Sequence, residues 1–262
     1  MDMALIIGGH PRSGTTLLRT LCDCHPDITI TAEFGNFLAV DKPYRAYIRR
    51  IRRRWWRVRH KSLLPRGTGN QWTRPLQNHA FIVRYLLGMR RYRGERIGGL
   101  TIEAVLKNIF GGARIVGDKY PGYIFQLDKL AVTEGLSCLI IYRDCRDVTS
   151  SSLKEARTTW RDQRFAKRFD TAGKAARQWV DAIESMERHI DQLHVIRYED
   201  LVTAPIQELE LLGKWLSVDP GGFPAHIIRD ASVGKYKSGL SDNELAAVME
   251  IAGPTMARLG YL

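Results

Sequence analysis

A glycine-rich loop between an apolar run and a helical pattern constrains the fold of this chain most strongly. The run ALIIGG, residues 4–9, is short and ends in glycine, as a buried strand does. Segment 15–23 then carries leucines at helical spacing. Gly9, Gly14 and Thr16 fit the phosphate-loop pattern G-x-x-x-x-G-K-[ST], which lies between a strand and a helix. The sequence therefore predicts an anion-binding loop here.

The loop departs from the nucleoside-triphosphate pattern at one position. Thr15 stands where a lysine is expected, and Arg12 precedes it by three residues. Backbone N–H groups at a glycine turn and helix start attract anions whichever side chains are present. The hydroxyl groups of Thr15 and Thr16 add donors, and Arg12 adds a planar fork suited to phosphate or sulfate oxygens. The missing lysine argues against a nucleoside triphosphate with Mg²⁺ and favours a less charged transferred group, such as a sulfuryl group.

Further strands and helices alternate along the chain. Apolar runs predict strands at 28–31, 114–119, 137–144 and 193–201. Helical patterns are found at 122–134, 146–155, 172–191 and 205–216. Such alternation predicts an α/β domain with a central parallel sheet flanked by helices, whose ligands bind at the carboxyl ends of the strands. A length of 262 residues suits a single domain, with a basic and mostly helical insertion at 41–96.

The positive charge is concentrated in this insertion. Residues 42–96 hold 17 Lys and Arg against one acid, Glu95, a net charge of +16. The other residues hold 23 Lys and Arg against 27 acids, a net charge of −4. A protein that coats nucleic acid would be basic more uniformly, so we expect no nucleic-acid partner.

Segment 44–59 of the insertion has the pattern of an amphipathic helix. Its apolar residues lie at three- and four-residue spacing; they are Tyr44, Tyr47, Ile48, Ile51, Trp55 and Val58. Arginines fill the other faces. Three interpretations compete: a helix that covers the active site, a helix on a membrane surface, and a nucleic-acid contact. Segment 66–75 is predicted to be a flexible loop.

The cysteines and the N-terminus indicate a cytoplasmic protein. Cys22, Cys24, Cys138 and Cys145 lack the spacing of a metal site, so we expect reduced thiols and no metal. The first ten residues have no basic lead, so no signal peptide is predicted. No apolar run approaches the roughly 18 residues of a membrane span.

A second anion site is predicted near Arg143. A strand that ends at this arginine and a helix over 146–155 place a cation, backbone N–H groups and serine hydroxyls at one edge. Two separated anion sites imply a ligand with phosphates at both ends of a nucleoside. The alternative is that Arg143 only forms a salt bridge, with Asp144 or Asp147.

The loop and two other segments resemble a known family. PRSGTTLL followed by CHPDI resembles the 5′-phosphosulfate loop of sulfotransferases, whose donor is 3′-phosphoadenosine 5′-phosphosulfate (PAPS). The tyrosylprotein and related bacterial enzymes are the most similar branch. Their catalytic Glu lies 21 residues after the loop Arg, at Glu33 here, and GDKYP carries Lys119 in the place of a catalytic Lys. The resemblance implies that Glu33, Lys119 and Arg12 are catalytic. The alternatives are a helix-terminal role for Glu33 and a Lys119–Asp118 pair.

The resemblance extends to the donor-binding residues. Segment 140–154 is similar to the family's 3′-phosphate element, which implies that Arg143 and Ser151 bind the 3′-phosphate. Segment 229–241 resembles the loop that closes on this phosphate, but Asp230 and Ala231 replace a Lys-Gly pair beside Arg229. Ser232 or Lys235 is therefore expected to bind the phosphate in place of Arg229. The full set of donor-binding residues implied is Arg12, Ser13, Gly14, Thr15, Thr16, Arg143, Ser151, Tyr198, Ser232, Lys235 and Lys237.

The reaction predicted is in-line transfer of a sulfuryl group from PAPS to a hydroxyl, without a metal. A charge of +16 near the site predicts an anionic acceptor, such as an acidic peptide that presents Tyr, an acidic glycan, or a substrate on an anionic membrane. The alternatives are a P-loop kinase that acts on a small molecule, in which Asp144 imitates a Mg²⁺-binding acid, and a non-catalytic basic binding module.

Overall fold

A parallel sheet forms the centre of the molecule. The computed structural model describes residues 4–65, 72–229 and 232–262, so most of the loop predicted at 66–75 and the Asp230–Ala231 pair lie outside it. The strands are β1 (Ala4–Gly8), β2 (Ile28–Ala32), β3 (Lys42–Pro43), β4 (Arg96–Ile97), β5 (Ile115–Lys119), β6 (Leu136–Tyr142) and β7 (Leu193–Arg197). Five of them pair in parallel in the order β2-β5-β1-β6-β7, and β3 and β4 form an antiparallel pair. The α/β prediction is confirmed.

Helices connect and cover these strands. They are α1 (Thr15–Asp23), α2 (Tyr44–Val58), α3 (Arg74–Met89), α4 (Gly99–Phe110), α5 (Leu127–Leu130), α6 (Cys145–Arg157), α7 (Ala172–Glu187), α8 (Tyr198–Thr203), α9 (Pro205–Leu216), α10 (Tyr236–Gly239) and α11 (Asp242–Arg258). The basic segment thus contains α2 and α3. None of the helices in the described residues has the length and apolar character needed to cross a bilayer.

Two predicted elements were wrong in extent. The strand predicted at 193–201 ends at Arg197, and Tyr198 begins α8. Glu199 and Asp200 lie in the first turn of α8, where carboxylates stabilise a helix. The helix predicted at 122–134 is a 3-10 helix, Pro121–Gln126, followed by the four-residue α5.

The core is divided by the sheet. Alternate residues of β1 point to opposite faces, so Ala4 and Ile6 join one buried cluster and Leu5 and Ile7 join another. The first cluster includes residues of α2, α3 and α4, and the second includes residues of α1, α8 and α9. Both faces of the sheet are therefore covered, and the carboxyl edge is left for a site.

Helix α2 has the predicted amphipathic character. Tyr47, Ile51 and Val58 are buried, and Tyr44, Ile48 and Trp55 are half-buried. The Tyr47 and Tyr85 hydroxyls are 2.5 Å apart, which ties α2 to α3 within the first cluster. The apolar stripe of α2 therefore packs on the domain, and its arginines are exposed except Arg54, which turns inward to the carbonyls of Glu33 and Phe34.

Candidate active site

Each strand of the main sheet ends at, or leads directly into, a predicted site residue or the glycine loop. In spatial order along the carboxyl edge, β2 leads into Glu33, β5 ends at Lys119, β1 enters the glycine loop, β6 leads into Arg143 and β7 leads into Tyr198. The register places Lys119 beside Ala32 on one side and Ile7 on the other. Adjacent strands are about 4.8 Å apart, so the strands that carry Glu33 and Arg143 are separated by about 14 Å. We name the end with Glu33 and Lys119 the base end, and the end with Arg143 and Tyr198 the donor end, after the roles predicted for these residues.

The glycine loop joins these two ends. Gly14 has φ 99° and precedes α1, and a Cβ at this position would come within 2.6 Å of the Tyr198 ring. Only glycine therefore fits between the loop and α8. Arg12 also has a positive φ, 73°. The turn places Thr15 and Thr16 at the start of α1, where the backbone N–H groups have no partner within the helix.

A cavity of about 790 Å³ lies between this loop, α6 and the segment before α10. Most of the predicted donor-binding residues line it: Arg12, Gly14, Thr15, Thr16, Arg143, Ser151, Tyr198, Ser232 and Lys235. The other two predicted residues do not line the cavity: Ser13 is fully buried, and Lys237 is exposed. The structure thus brings together residues from the first loop, the middle and the last part of the chain.

Arg143 and Asp147 organise the donor end. Arg143 Nη2 lies 3.0 Å from Asp147 Oδ2, donates to the Ser232 carbonyl, and its guanidinium stacks 4.6 Å from the Tyr198 ring centre. Asp147 in turn accepts from the backbone N–H of Gly234 at 2.8 Å and of Tyr236 at 2.9 Å. The salt bridge that was the alternative for Arg143 is therefore present, and it positions the arginine within the cavity. Asp144 pairs with Arg146 instead.

Arg12 joins the donor end in this structure. Its Nε donates to Ser151 Oγ at 2.9 Å, and its Nη2 lies 3.3 Å from Glu155 Oε1. The guanidinium is thus bound to α6, and its predicted catalytic role remains a prediction.

Glu33 is bound by two lysines at the base end. Lys119 Nζ lies 3.0 Å from Oε1 and Lys61 Nζ lies 2.9 Å from Oε2. Burial would raise the pKa of Glu33, but the charge of Lys119 and the hydrogen bond and charge of Lys61 outweigh it and lower the pKa to about 2. Glu33 is not in a helical first turn, since the next helical element starts at Asn36. Lys119 pairs with Glu33 and not with Asp118.

Asp118 and Arg54 hold the backbone around Glu33. The buried Asp118 carboxyl accepts from the hydroxyls of Thr31 and Tyr123, both at 2.6 Å, and from the N–H groups of Phe34 and Gly35. Burial raises its pKa, since desolvation opposes the charged form. Arg54 donates to the Glu33 carbonyl at 2.8 Å, so α2 is attached to the same loop. Glu33 itself has φ 57°, an uncommon conformation that these contacts maintain.

Comparison with known proteins identifies the family. The model of the sulfotransferase family matches residues 4–220, which include all five strands of the main sheet. The chain belongs to the sulfotransferase family. No curated protein matches it.

Solved sulfotransferases share this fold. The sulfotransferase domain from the Curacin biosynthetic pathway is 16% identical and superposes with a TM-score of 0.56 over 100% of this chain and 98% of its own. STF9 from Mycobacterium avium gives 15% identity and 0.57 over 100% and 78%. The sulfotransferase from Alicyclobacillus acidocaldarius gives 20% and 0.52 over 97% and 93%. At these identities the similarity concerns the fold alone.

Family membership decides between two of the predicted enzyme classes. It confirms a sulfotransferase and disagrees with the P-loop kinase, whereas the tyrosylprotein-like branch stays a prediction. Three residues of the site were missed from the sequence: Lys61, Asp118 and Asp147 were not assigned functional roles. Asp118 and Asp147 were considered only as salt-bridge partners, and Lys61, 28 residues from Glu33, had no local pattern that pointed to it.

Proposed function

We propose that this sulfotransferase moves the sulfuryl group of PAPS to an acceptor hydroxyl, with Glu33 as the general base. The observation that carries the proposal is the order of residues along the carboxyl edge. A carboxylate, a lysine, an anion-binding loop and an arginine follow one another on neighbouring strands. An in-line transfer needs an acceptor base, a cation at the bridging oxygen and a holder for the donor nucleotide, in that order.

The donor end fits a nucleotide with two anionic groups. Loop N–H groups 13–16 would hold the 5′-phosphate, and Arg143, Ser151 and the Ser232 segment would hold the 3′-phosphate. One buried polar atom of the cavity lining supports this fit, because Arg143 Nε has no hydrogen-bond partner among the described residues. A buried donor without a partner is costly, and an anion in the cavity would supply the acceptor.

The base end supplies the proton transfer. In the proposed step the acceptor oxygen forms a bond to sulfur as the bond from sulfur to the 5′-phosphate oxygen breaks, and the acceptor proton passes to Glu33. With a pKa of about 2, Glu33 is ionised and ready to accept this proton, but it is a weak base while two lysines hold it. If the Lys119 ammonium group moved from Glu33 to the leaving oxygen, the carboxylate would become more basic. The ammonium group would then also stabilise the negative charge that develops on the leaving oxygen. Arg12 would neutralise charge on the transferred group.

An anionic acceptor would release the second lysine, Lys61, from Glu33. Lys61 is half-exposed, with 48% of its side chain accessible, and it covers the second oxygen of Glu33. A carboxylate or sulfate of the acceptor would attract Lys61 and so uncover Oε2 for the hydroxyl. This favours an acidic peptide that presents Tyr or an acidic glycan as the acceptor, with the basic segment beside the acceptor site.

Calorimetric titration with 3′-phosphoadenosine 5′-phosphate (PAP), 5′-AMP and ATP with Mg²⁺ tests the donor site. We expect metal-independent binding of PAP that is at least tenfold tighter than binding of 5′-AMP, because Arg143 and Ser151 would contact only the 3′-phosphate. The Arg143→Ala variant should abolish this preference, while Arg188→Ala, an exposed arginine on the surface, should keep it. Preference for ATP with Mg²⁺, or equal binding of PAP and 5′-AMP, would contradict the proposal.

A further inference from the structure

Helix α3 is apolar on two opposite faces. Its inner face buries Phe81, Ile82, Tyr85 and Met89 in the first core cluster. At 100° per residue, Leu76, Ala80, Val83 and Leu87 form a narrow stripe on the opposite side. Leu76, Val83 and Leu87 are 75%, 43% and 50% exposed. This outer stripe is about 16 Å long and contributes nothing to the core.

Helix α2 presents a face of exposed arginines. Arg45, Arg49, Arg52 and Arg53 line a surface groove of about 580 Å³ together with Arg93, the side chains of Tyr44 and Ile48, and Trp56, which is 65% exposed. These four α2 arginines have no ion-pair partner among the described residues. Since Glu95 is the only acid from 42 to 96, the charge of this face is not neutralised within the segment.

Helices α2 and α3 are neighbours in the fold. The Tyr47–Tyr85 hydrogen bond and the contact between the Trp55 and His79 rings, 6.4 Å apart, join α2 to α3. Both helices bury their inner faces in the same cluster. Neighbouring helices that share a core on the inside present their outer faces in the same general direction. The apolar stripe of α3 and the free guanidinium groups of α2 thus both point away from the core that the two helices share.

We propose that this surface, the outer faces of α2 and α3, docks on an anionic lipid bilayer. An interfacial helix buries a stripe of apolar side chains at the boundary between headgroups and acyl chains while arginines contact the anionic headgroups. The exposed Trp56 suits the same boundary. A second copy of the chain would bring a segment of charge +16 against another, and like charges oppose this contact. A soluble polyanion would satisfy the arginines but leave the apolar stripe in water.

Vesicle flotation of the full chain measures this binding. We expect the protein to float with vesicles of phosphatidylcholine and phosphatidylglycerol and to stay in solution with vesicles of phosphatidylcholine alone. Raising the salt concentration should weaken the binding, since headgroup attraction is screened within a Debye length. The assay contains neither donor nor acceptor, so its result is independent of the catalytic proposal.

Two sets of variants separate the arginines from the stripe. Replacing Arg45, Arg49, Arg52 and Arg53 with Gln should weaken vesicle binding about a hundredfold or more, because each arginine near an anionic surface contributes about fivefold. The triple variant Leu76→Ser, Val83→Ser and Leu87→Ser should weaken it about tenfold. The matched controls change as much charge or apolar surface elsewhere; they are Arg161, Arg164, Lys167 and Arg168 to Gln, and Val132, Ile206 and Leu211 to Ser.

Several outcomes would overturn the proposal. They are absence of binding to the anionic vesicles, equal losses in the test and control variants, and unchanged binding in the serine variant. Dimerisation in sedimentation velocity that the serine variant abolishes would assign the stripe to a second copy. Stronger binding of soluble poly-glutamate than of anionic vesicles would assign the arginines to an acidic chain. PAP binding and thermal unfolding of each variant must match the unmodified protein, which shows that the variants are folded.

Discussion

The donor end and the base end use ion pairs in opposite ways. At the donor end a buried carboxylate, Asp147, holds the cation Arg143 and the backbone of the 232–236 segment. At the base end two cations, Lys119 and Lys61, hold the carboxylate Glu33. The group with the proposed role is the arginine in the first case and the carboxylate in the second, and its partner of opposite charge fixes its position. Similar residue pairs therefore predict different losses when the acid is replaced.

Glu33→Gln should give the largest effect, and on turnover alone. We expect a loss of about 10² to 10⁴ in rate, the usual contribution of a general base, because the amide cannot take the acceptor proton. Donor affinity should stay within a few fold, since the donor end does not include Glu33. The measurement is sulfuryl transfer from labelled PAPS to a panel of tyrosine peptides, phenols and glycans, beside PAP calorimetry. Glu134→Gln, on an exposed residue, is the control; near-normal turnover of Glu33→Gln would end the base assignment.

Asp147→Asn should lower the affinity for PAP and leave turnover nearly unchanged, the reverse of Glu33→Gln. Loss of the carboxylate removes the partner of Arg143 and weakens the two backbone contacts of the closing segment, so PAP affinity should fall about a hundredfold. Binding of 5′-AMP should change far less, because this ligand lacks the 3′-phosphate. Turnover at saturating donor should stay close to normal. Calorimetry with both nucleotides gives the ratio; equal losses for the two would mean that Asp147 supports the fold in general and not this end.

The low pKa of Glu33 predicts a pH-dependent stability of the base end. Because the folded pKa, about 2, is below the ordinary value of 4.5, ionised Glu33 stabilises the fold above pH 4.5. This contribution is lost as the pH falls from 4.5 towards 2. Allowing for its partial exposure, we expect about 2 kcal/mol. Urea unfolding of the native protein and Glu33→Gln should differ most at pH 7 and converge at low pH. A difference that is constant with pH would contradict the ion-pair explanation.

The two lysines near the donor end should give the smallest effects. Lys235 lines the cavity and Lys237 does not, although the family resemblance implies both. We expect Lys235→Ala to weaken PAP binding about fivefold and Lys237→Ala less than twofold, since exposed charges contribute at most about 1 kcal/mol. Calorimetry at low and high salt checks the order. A larger effect of Lys237→Ala would mean that the closing segment changes its position when the nucleotide binds.

The sequence predicted the parts of the site that depend on one segment at a time. The glycine loop, Glu33, Lys119 and Arg143 each follow or end a recognisable apolar run, and parallel strands bring such positions to one edge. The contacts between distant segments were not predictable in this way. Lys61 meets Glu33 only because of where the basic segment packs, and Arg12 turns towards Ser151, 139 residues away.

Tyr198 shows the limit of apolar pattern as a guide. Tyr198 and Leu201 follow β7 in the segment 193–201, so the pattern predicted one strand. The acids Glu199 and Asp200 instead favour the first turn of α8. That turn places the ring of Tyr198 against Gly14 and under the Arg143 guanidinium. Tyr198 lines the cavity, so its role in donor binding stays a prediction, whereas the strand predicted through it was wrong.

The bonds from Asp147 to Gly234 and Tyr236 also bear on how the enzyme is made. The glycine loop leaves the ribosome early, but the segment that closes the donor end follows more than 200 residues later. A nascent chain therefore has a sheet edge and a base end well before it has a complete nucleotide site. On the proposed function we expect tight PAP binding only after residue 236 has emerged, so a nascent chain stalled before that point would be a sulfotransferase without a donor.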